Sequence, residues 1–157
     1  MWQTILAVPI LVLVVLIAAP ALLIYYTGRL IRGLWLQSRV KLTWPKGKFV
    51  LLAYTNNRKW VPYIEAHLLP NIGDACVVVD RSDAQWKERF PLEASVISHW
   101  GGYREHNPLA VVFPTIGRPR VFRVYKAFQE LQRGKDQRLE NVSKQLVDTV
   151  EQCKKVS

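Results

Sequence analysis

His99 and His106 stand seven residues apart with Glu105 beside the second, and imidazole and carboxylate are groups that ligate metals or move protons near neutral pH. Three candidates fall short of the four ligands of a closed tetrahedral site. Gly101 and Gly102 read instead as a sharp turn in a loop, with Trp100 and Tyr103 laid over the edge of a core. Arg58, Lys59 and Trp60 set two cations beside a flat apolar ring. That group could hold an anion, and solvated turn charges flanking a core-packed indole are the plainer account. Asp80 and Asp83 suit a turn and a helix cap better than an acid pair, and His67 falls on the exposed side of a helical pattern. No Walker loop, G-x-G-x-x-G, H-E-x-x-H or G-x-S-x-G motif is present.

The elements that must position these groups follow from apolar periodicity. Residues 49–54 form a nearly continuous apolar run ending at Asn56 and Asn57, as expected of a strand buried on both faces. Val61, Ile64 and Leu68 then recur at helical spacing, with Pro62 in the first turn and a stop at Pro70. Residues 76–79 make a second buried strand, which implies a parallel pair joined by a crossover. Residues 80–107 are less legible, with a turn around Trp86 capped by Ser82 or Asp83. Residues 109–113 and 121–125 flank a turn containing Gly117 and Pro119 and read as a hairpin. Leu139, Val142, Leu146, Val150 and Cys153 mark one face of a closing helix.

Ahead of this domain lies a different kind of chain. The first 28 residues carry no charge, and residues 5–24 consist only of Ala, Val, Ile, Leu and Pro. Twenty helical residues rise about 30 Å, enough for the hydrocarbon core of a bilayer. Trp2 at one end and Tyr25 and Tyr26 at the other are suited to the two interfaces. Ala19-Pro20-Ala21 resembles a signal-peptide cleavage site, but no basic residue precedes the apolar run and the run continues past it. Residues 29–48 then carry six positive charges and no negative one. Arg29, Arg32, Arg39 and Lys41, interleaved with apolar residues such as Trp35, form a basic juxtamembrane collar, each charge contributing about 1 kcal/mol near an anionic leaflet. The positive-inside rule sets the N-terminus outside and the rest in the cytoplasm.

The formal net charge is +10, yet residues 49–157 hold sixteen basic and twelve acidic side chains. The collar thus supplies most of the basicity, which argues against nucleic acid as a partner. Arg118, Arg120 and Arg123 with Phe122 and Tyr125 form a basic edge better suited to lipid or solvent than to single-stranded RNA.

The order strand, helix, strand, link, strand, strand, helix resembles the core of the thioredoxin fold. The resemblance is sharpest at Asn107-Pro108-Leu109-Ala110-Val111-Val112-Phe113-Pro114-Thr115-Ile116-Gly117, which is similar to the family pattern of a cis-proline opening the third strand, apolar residues, an aromatic and a glycine turn. Pro108 would correspond to that cis-proline. Where the family carries Cys-x-x-Cys, this chain reads Thr55-Asn56-Asn57-Arg58-Lys59-Trp60-Val61-Pro62. Cys76 and Cys153 lack both that spacing and a helix N-terminus, so disulfide exchange is not expected.

What the resemblance leaves is a concave site where the first helix begins beside the loop before Pro108. Arg58, Lys59, Trp60, His106, Asn107 and Pro108 are its expected ligand or partner contacts, the backbone beside Pro108 pairing with a peptide. The expected protein is α/β: a single transmembrane helix over residues 1–28, a collar over 29–48, and a thioredoxin-like three-layer domain with a mixed four-stranded sheet over 49–157. It would sit in the inner membrane and bind a peptide, a protein or the anionic leaflet, with no cofactor, metal or catalytic residue. The alternative is an enzyme or thiol-cofactor binder using the Arg58 to Trp60 turn and the His99 to His106 loop, conceivable because relatives of this fold bind glutathione.

Overall fold

The computed structural model describes residues 2–102 and 107–156, with the side chains of residues 2–15 outside the description. Two compact units divide the chain, residues 1–35 and 36–157. Helix α1 runs Trp2–Thr43. Within the first unit Leu16, Ile17, Leu22, Leu23, Ile24, Leu30, Ile31 and Leu34 are all exposed. Tyr25 and Tyr26 meet edge to face at 5.5 Å. Among the described residues no helix is long and apolar enough to cross a membrane. The span expected over residues 5–24 therefore finds no support there, and more than half of that run lies among the side chains outside the description.

The second unit is built on strands β1 (Val50–Tyr54), β2 (Cys76–Asp80), β3 (Leu109–Val112) and β4 (Arg120–Arg123), in the order β2-β1-β3-β4. Strand β1 pairs parallel with β2 and antiparallel with β3, and β3 pairs antiparallel with β4. The mixed four-stranded sheet expected from the sequence is present. The apolar runs of β1 and β3 explain their central places, because a strand buried on both faces can expose neither.

One face carries Val50, Leu52, Ala110 and Val112, covered by Ile64, Leu68 and Ile72 and by Leu146, Val150 and Cys153. The last three lie on α7 (Gln137–Val156). The other face carries Leu51, Ala53, Leu109 and Val111, covered by Val40, Trp44, Trp86, Val96, Ile97 and Phe113. Helices α4 (Trp86–Arg89) and α5 (Pro91–Val96), with a π-turn at Ile97–Gly101, fill the stretch that periodicity left unresolved.

The helix expected to stop at Pro70 continues past it. It comprises α2 (Val61–Tyr63), a π-turn at Ile64–Leu68 and α3 (Leu69–Ile72). The Leu69 N–H donates to the Ile64 carbonyl, five residues back. Widening the helix there eases the clash that a proline ring otherwise makes with the carbonyl four residues before it. Strand β4 ends at Arg123 rather than running to Tyr125, and a helix absent from the sequence reading, α6 (Tyr125–Leu131), follows.

The collar also departs from expectation. Helix α1 continues to Thr43, and Leu36, Val40 and Trp44 are buried, so the folded unit begins at Leu36 instead of Phe49. Trp44 stacks edge to face on Phe113 at 5.5 Å and its Nε1–H donates to Oε1 of Glu93 at 2.7 Å. Glu93 is buried, so this bond supplies a partner that water cannot. Lys48 Nζ donates to the Gly73 carbonyl at 3.0 Å. Trp44→Ala is expected to cost about 3–5 kcal/mol and Trp44→Phe, which strips Glu93 of its donor, about 1–3 kcal/mol. Leu42→Ala, at a side chain 84% exposed, should change stability by less than about 0.5 kcal/mol. Urea unfolding of the three variants measures this, and wild-type stability of Trp44→Ala would mean that residues 36–44 are not part of the core.

Candidate functional site

The turn after β1 is organised by Asn57. Its carbonyl accepts the N–H groups of Trp60 at 3.2 Å and Val61 at 3.1 Å, and its Oδ1 accepts that of Lys59 at 3.0 Å. Pro62 has no N–H to offer. The donors that an anion would use at the start of this helix are therefore largely engaged within the turn. Arg58 and Lys59 are exposed on it. Trp60 points the other way: its Nε1–H donates to the Thr55 carbonyl at 2.9 Å, and its ring meets Tyr125 and Phe128 of α6, each at 6.4 Å. Tyr63 joins them, edge to face on Phe128 at 5.3 Å. Trp60 thus serves mainly to seat α6.

Asn107–Pro108 is a cis peptide bond, in the place the thioredoxin resemblance gives it. Pro108 is buried, and its carbonyl accepts the Val124 N–H at 3.2 Å. Strand β3 is paired on both sides. The backbone expected to receive a peptide is therefore already hydrogen-bonded from Pro108 through Val112. Trp60 meets α6 at Tyr125 and Phe128, and Pro108 accepts the N–H of Val124, the residue before that helix. Asn107 stays accessible at the sheet's end, where its Oδ1 lies 3.4 Å from Nη1 of Arg81.

Arg81 was missed from the sequence. It follows β2 directly, donates its N–H to the Tyr54 carbonyl and lays its guanidinium 4.8 Å from the Trp86 ring centroid. A basic residue after a buried strand, five before a tryptophan, was the available signal. Burial, with Glu65 and Asp80 adding to it, raises the Tyr54 hydroxyl pKa at the same strand end. Asp80 and Asp83 accept the N–H groups of Ser82 and Gln85 as turn and cap residues do.

His106, with Tyr103, Arg104 and Glu105, lies outside the described residues. His99 stacks edge to face on Trp100, and Trp100 on Phe113, while Arg123 Nη2 reaches the Trp100 and Gly101 carbonyls at 3.3 and 3.4 Å. Among the described residues no cluster of His, Cys, Asp or Glu could hold a metal ion.

Of the expected membrane-surface residues, the side chain of Trp2 is outside the description, while Tyr25, Tyr26, Arg29, Arg32, Trp35, Arg39 and Lys41 are exposed. Lys41 has a further task, its Nζ donating to the Thr115 carbonyl at 2.9 Å. An open cleft of about 460 Å³ lies between the β3–β4 turn and the end of α7, bordered by Ile116, Arg118, Arg120, Cys153 and Val156. Its basic edge was legible in the sequence, but its apolar wall needed the pairing of turn and helix.

Compared with known proteins, the chain matches no family model, no curated protein and no solved structure.

Cys76 and Cys153 are buried, and neither is in a disulfide. Burial raises both thiols; Cys76 is pushed from 9.0 to about 12, with Lys48 and Lys154 opposing weakly, and Arg120 opposes at Cys153. Below pH 9 Cys76 is protonated in the folded and unfolded chains alike. Between pH 9 and about 12 only the unfolded chain gives up the proton, so stability falls with rising pH, by about 1.4 kcal/mol per unit from this group. Urea midpoints against pH should therefore fall more steeply for the wild type than for Cys76→Ala. Parallel profiles would show that Cys76 is not held in its neutral form.

Proposed function

We propose that this chain is a membrane-anchored, redox-inactive thioredoxin-like module that acts by binding. The observation carrying this reading is the combination of strand order and missing chemistry. The strands run β2-β1-β3-β4 with a parallel β1–β2 pair, an order that fits a thioredoxin core. The turn where such a core keeps its thiols holds Asn57, Arg58, Lys59 and Trp60 instead. Cys76 sits on an edge strand and Cys153 on the closing helix, each buried and poorly ionised, and a protonated thiol is a weak nucleophile.

Residues 5–24 serve as the anchor. A helix that is apolar all round is accommodated by lipid or by a large core, and the described side chains of this stretch are mostly exposed. The basic residues that follow it favour an inner-membrane orientation with the domain in the cytoplasm. The exposed Arg58 and Lys59 and the accessible Asn107 are contacts for an acidic peptide or protein partner, and the basic residues near the anchor are contacts for anionic lipid.

The full chain in nanodiscs is expected to leave insulin disulfides intact. Arg58→Cys combined with Val61→Cys puts two thiols at the start of α2 with the family's spacing, and this variant should form an intramolecular disulfide on mild oxidation and gain measurable insulin reduction. Activity in the wild type would refute the redox-inactive part of the reading. Failure of the paired cysteines to bridge, judged by thiol titration of folded protein, would refute the thioredoxin-like frame.

A further inference from the structure

From the reading of α1 as an anchor, and resting on it, we infer that the β3–β4 turn is a second membrane-contact site: Ile116 enters the interfacial layer of an anionic bilayer while Arg118 and Arg120 engage lipid phosphates. Ile116 is 81% exposed, more than any other large apolar side chain of the second unit except Leu42. A single exposed apolar residue means little by itself. Here its neighbours supply the rest of the argument.

The turn is held so as to present Ile116 outward. The Thr115 carbonyl accepts Lys41 Nζ at 2.9 Å and the Gly117 carbonyl accepts Gln37 Nε2 at 3.0 Å. The residues on either side of Ile116 are thus fastened to α1, and Gly117 takes the positive φ of 106° that the turn requires. Insertion into a membrane costs little ordering when the loop is already fixed. Val156, 63% exposed, supplies a second apolar side chain at the border of the same cleft.

The charge pattern identifies the occupant. Residues 107–129 contain Arg118, Arg120, Arg123 and Lys126 and no acidic residue. Arg89 pairs with Asp83 and Arg138 with Glu130, and neither pair involves the two turn arginines. Planar guanidiniums two and four residues beyond an exposed aliphatic side chain match the phosphates and acyl boundary of an anionic lipid surface.

Chain length adds proximity. Gln37, which holds the turn, is eight residues beyond Arg29, and eight residues reach at most about 29 Å even when fully extended. Once the anchor is in the bilayer, the turn is confined near the headgroups whatever the arrangement of the two units. Contacts too weak to recruit a free protein then become effective, because the encounter is intramolecular.

The test uses the full chain with Ile116→Cys labelled by an environment-sensitive fluorophore, reconstituted in nanodiscs containing brominated lipid. Unsubstituted chain treated in the same way gives the background from Cys76 and Cys153. A second labelled variant, Ile24→Cys, reports the anchor. In discs with about one third phosphatidylserine, the Ile116 probe should be quenched, with a blue-shifted emission. Arg118→Gln with Arg120→Gln should reduce quenching to the level in purely phosphatidylcholine discs, each lost charge shifting the in–out equilibrium roughly fivefold. A water-like, unquenched signal at position 116 alongside quenching at position 24 would overturn the second contact and leave the anchor intact. Absence of quenching at position 24 would overturn the anchor and this inference with it. Equal quenching at position 116 in anionic and neutral discs would overturn the role of the arginines.

Discussion

Strands β1 and β3 are buried on both faces, with Val50, Leu51, Leu52 and Ala53 lying beside Leu109, Ala110, Val111 and Val112, and this constraint governs the rest of the molecule. A two-stranded apolar centre must be covered twice. Helix α7 and the α2–α3 helix cover one side. The other is covered by α4, α5 and the last turns of α1, so residues that continue an uncharged apolar helix also complete a folded core. Trp44 carries much of this role, since it packs on Phe113 and gives buried Glu93 its hydrogen bond. Loss of that cover would expose one face of the central strands.

The same economy explains why the expected binding site is mostly filled. The carbonyl and side chain of Asn57 take up three N–H groups of the first helical turn, and Trp60 is turned inward to hold α6. Val124, the residue before α6, in turn donates its N–H to the Pro108 carbonyl. With these contacts made, Arg58 and Lys59 remain exposed and Asn107 partly so.

Strands β1 and β3 were legible because each is a short apolar run bounded by polar or turn residues, and a doubly buried strand can be little else; β2 has the same composition but lies at the sheet's edge, with Val78 exposed. The limits of β1 and β2 fall within one residue of their sequence bounds. Strand β4 was displaced because Val121 to Tyr125 looks extended throughout, whereas Val124 is drawn into the core and its N–H is taken by Pro108. The π-turn at Ile97–Gly101 falls in the stretch that periodicity left unresolved, whereas Ile64 and Leu68, at the two ends of the other, keep a spacing that reads as ordinary helix. Leu36, Val40 and Trp44 were misassigned to a lipid-facing collar for a related reason. Their four-residue spacing is that of any amphipathic stripe, and composition does not tell whether protein or lipid lies against it.

That ambiguity bears on the charge of the molecule. Of the six cations in residues 29–48, Lys41 and Lys48 donate to backbone carbonyls of the folded unit. Lys41 thereby ties the basic segment to the β3–β4 turn, which carries Arg118 and Arg120. The cationic surface of the folded unit is therefore assembled from two distant parts of the chain, one helical and one a hairpin, joined through Gln37 and Lys41. The hairpin's contribution depends on the pairing of β3 with β4, so this surface is complete only when the sheet is formed.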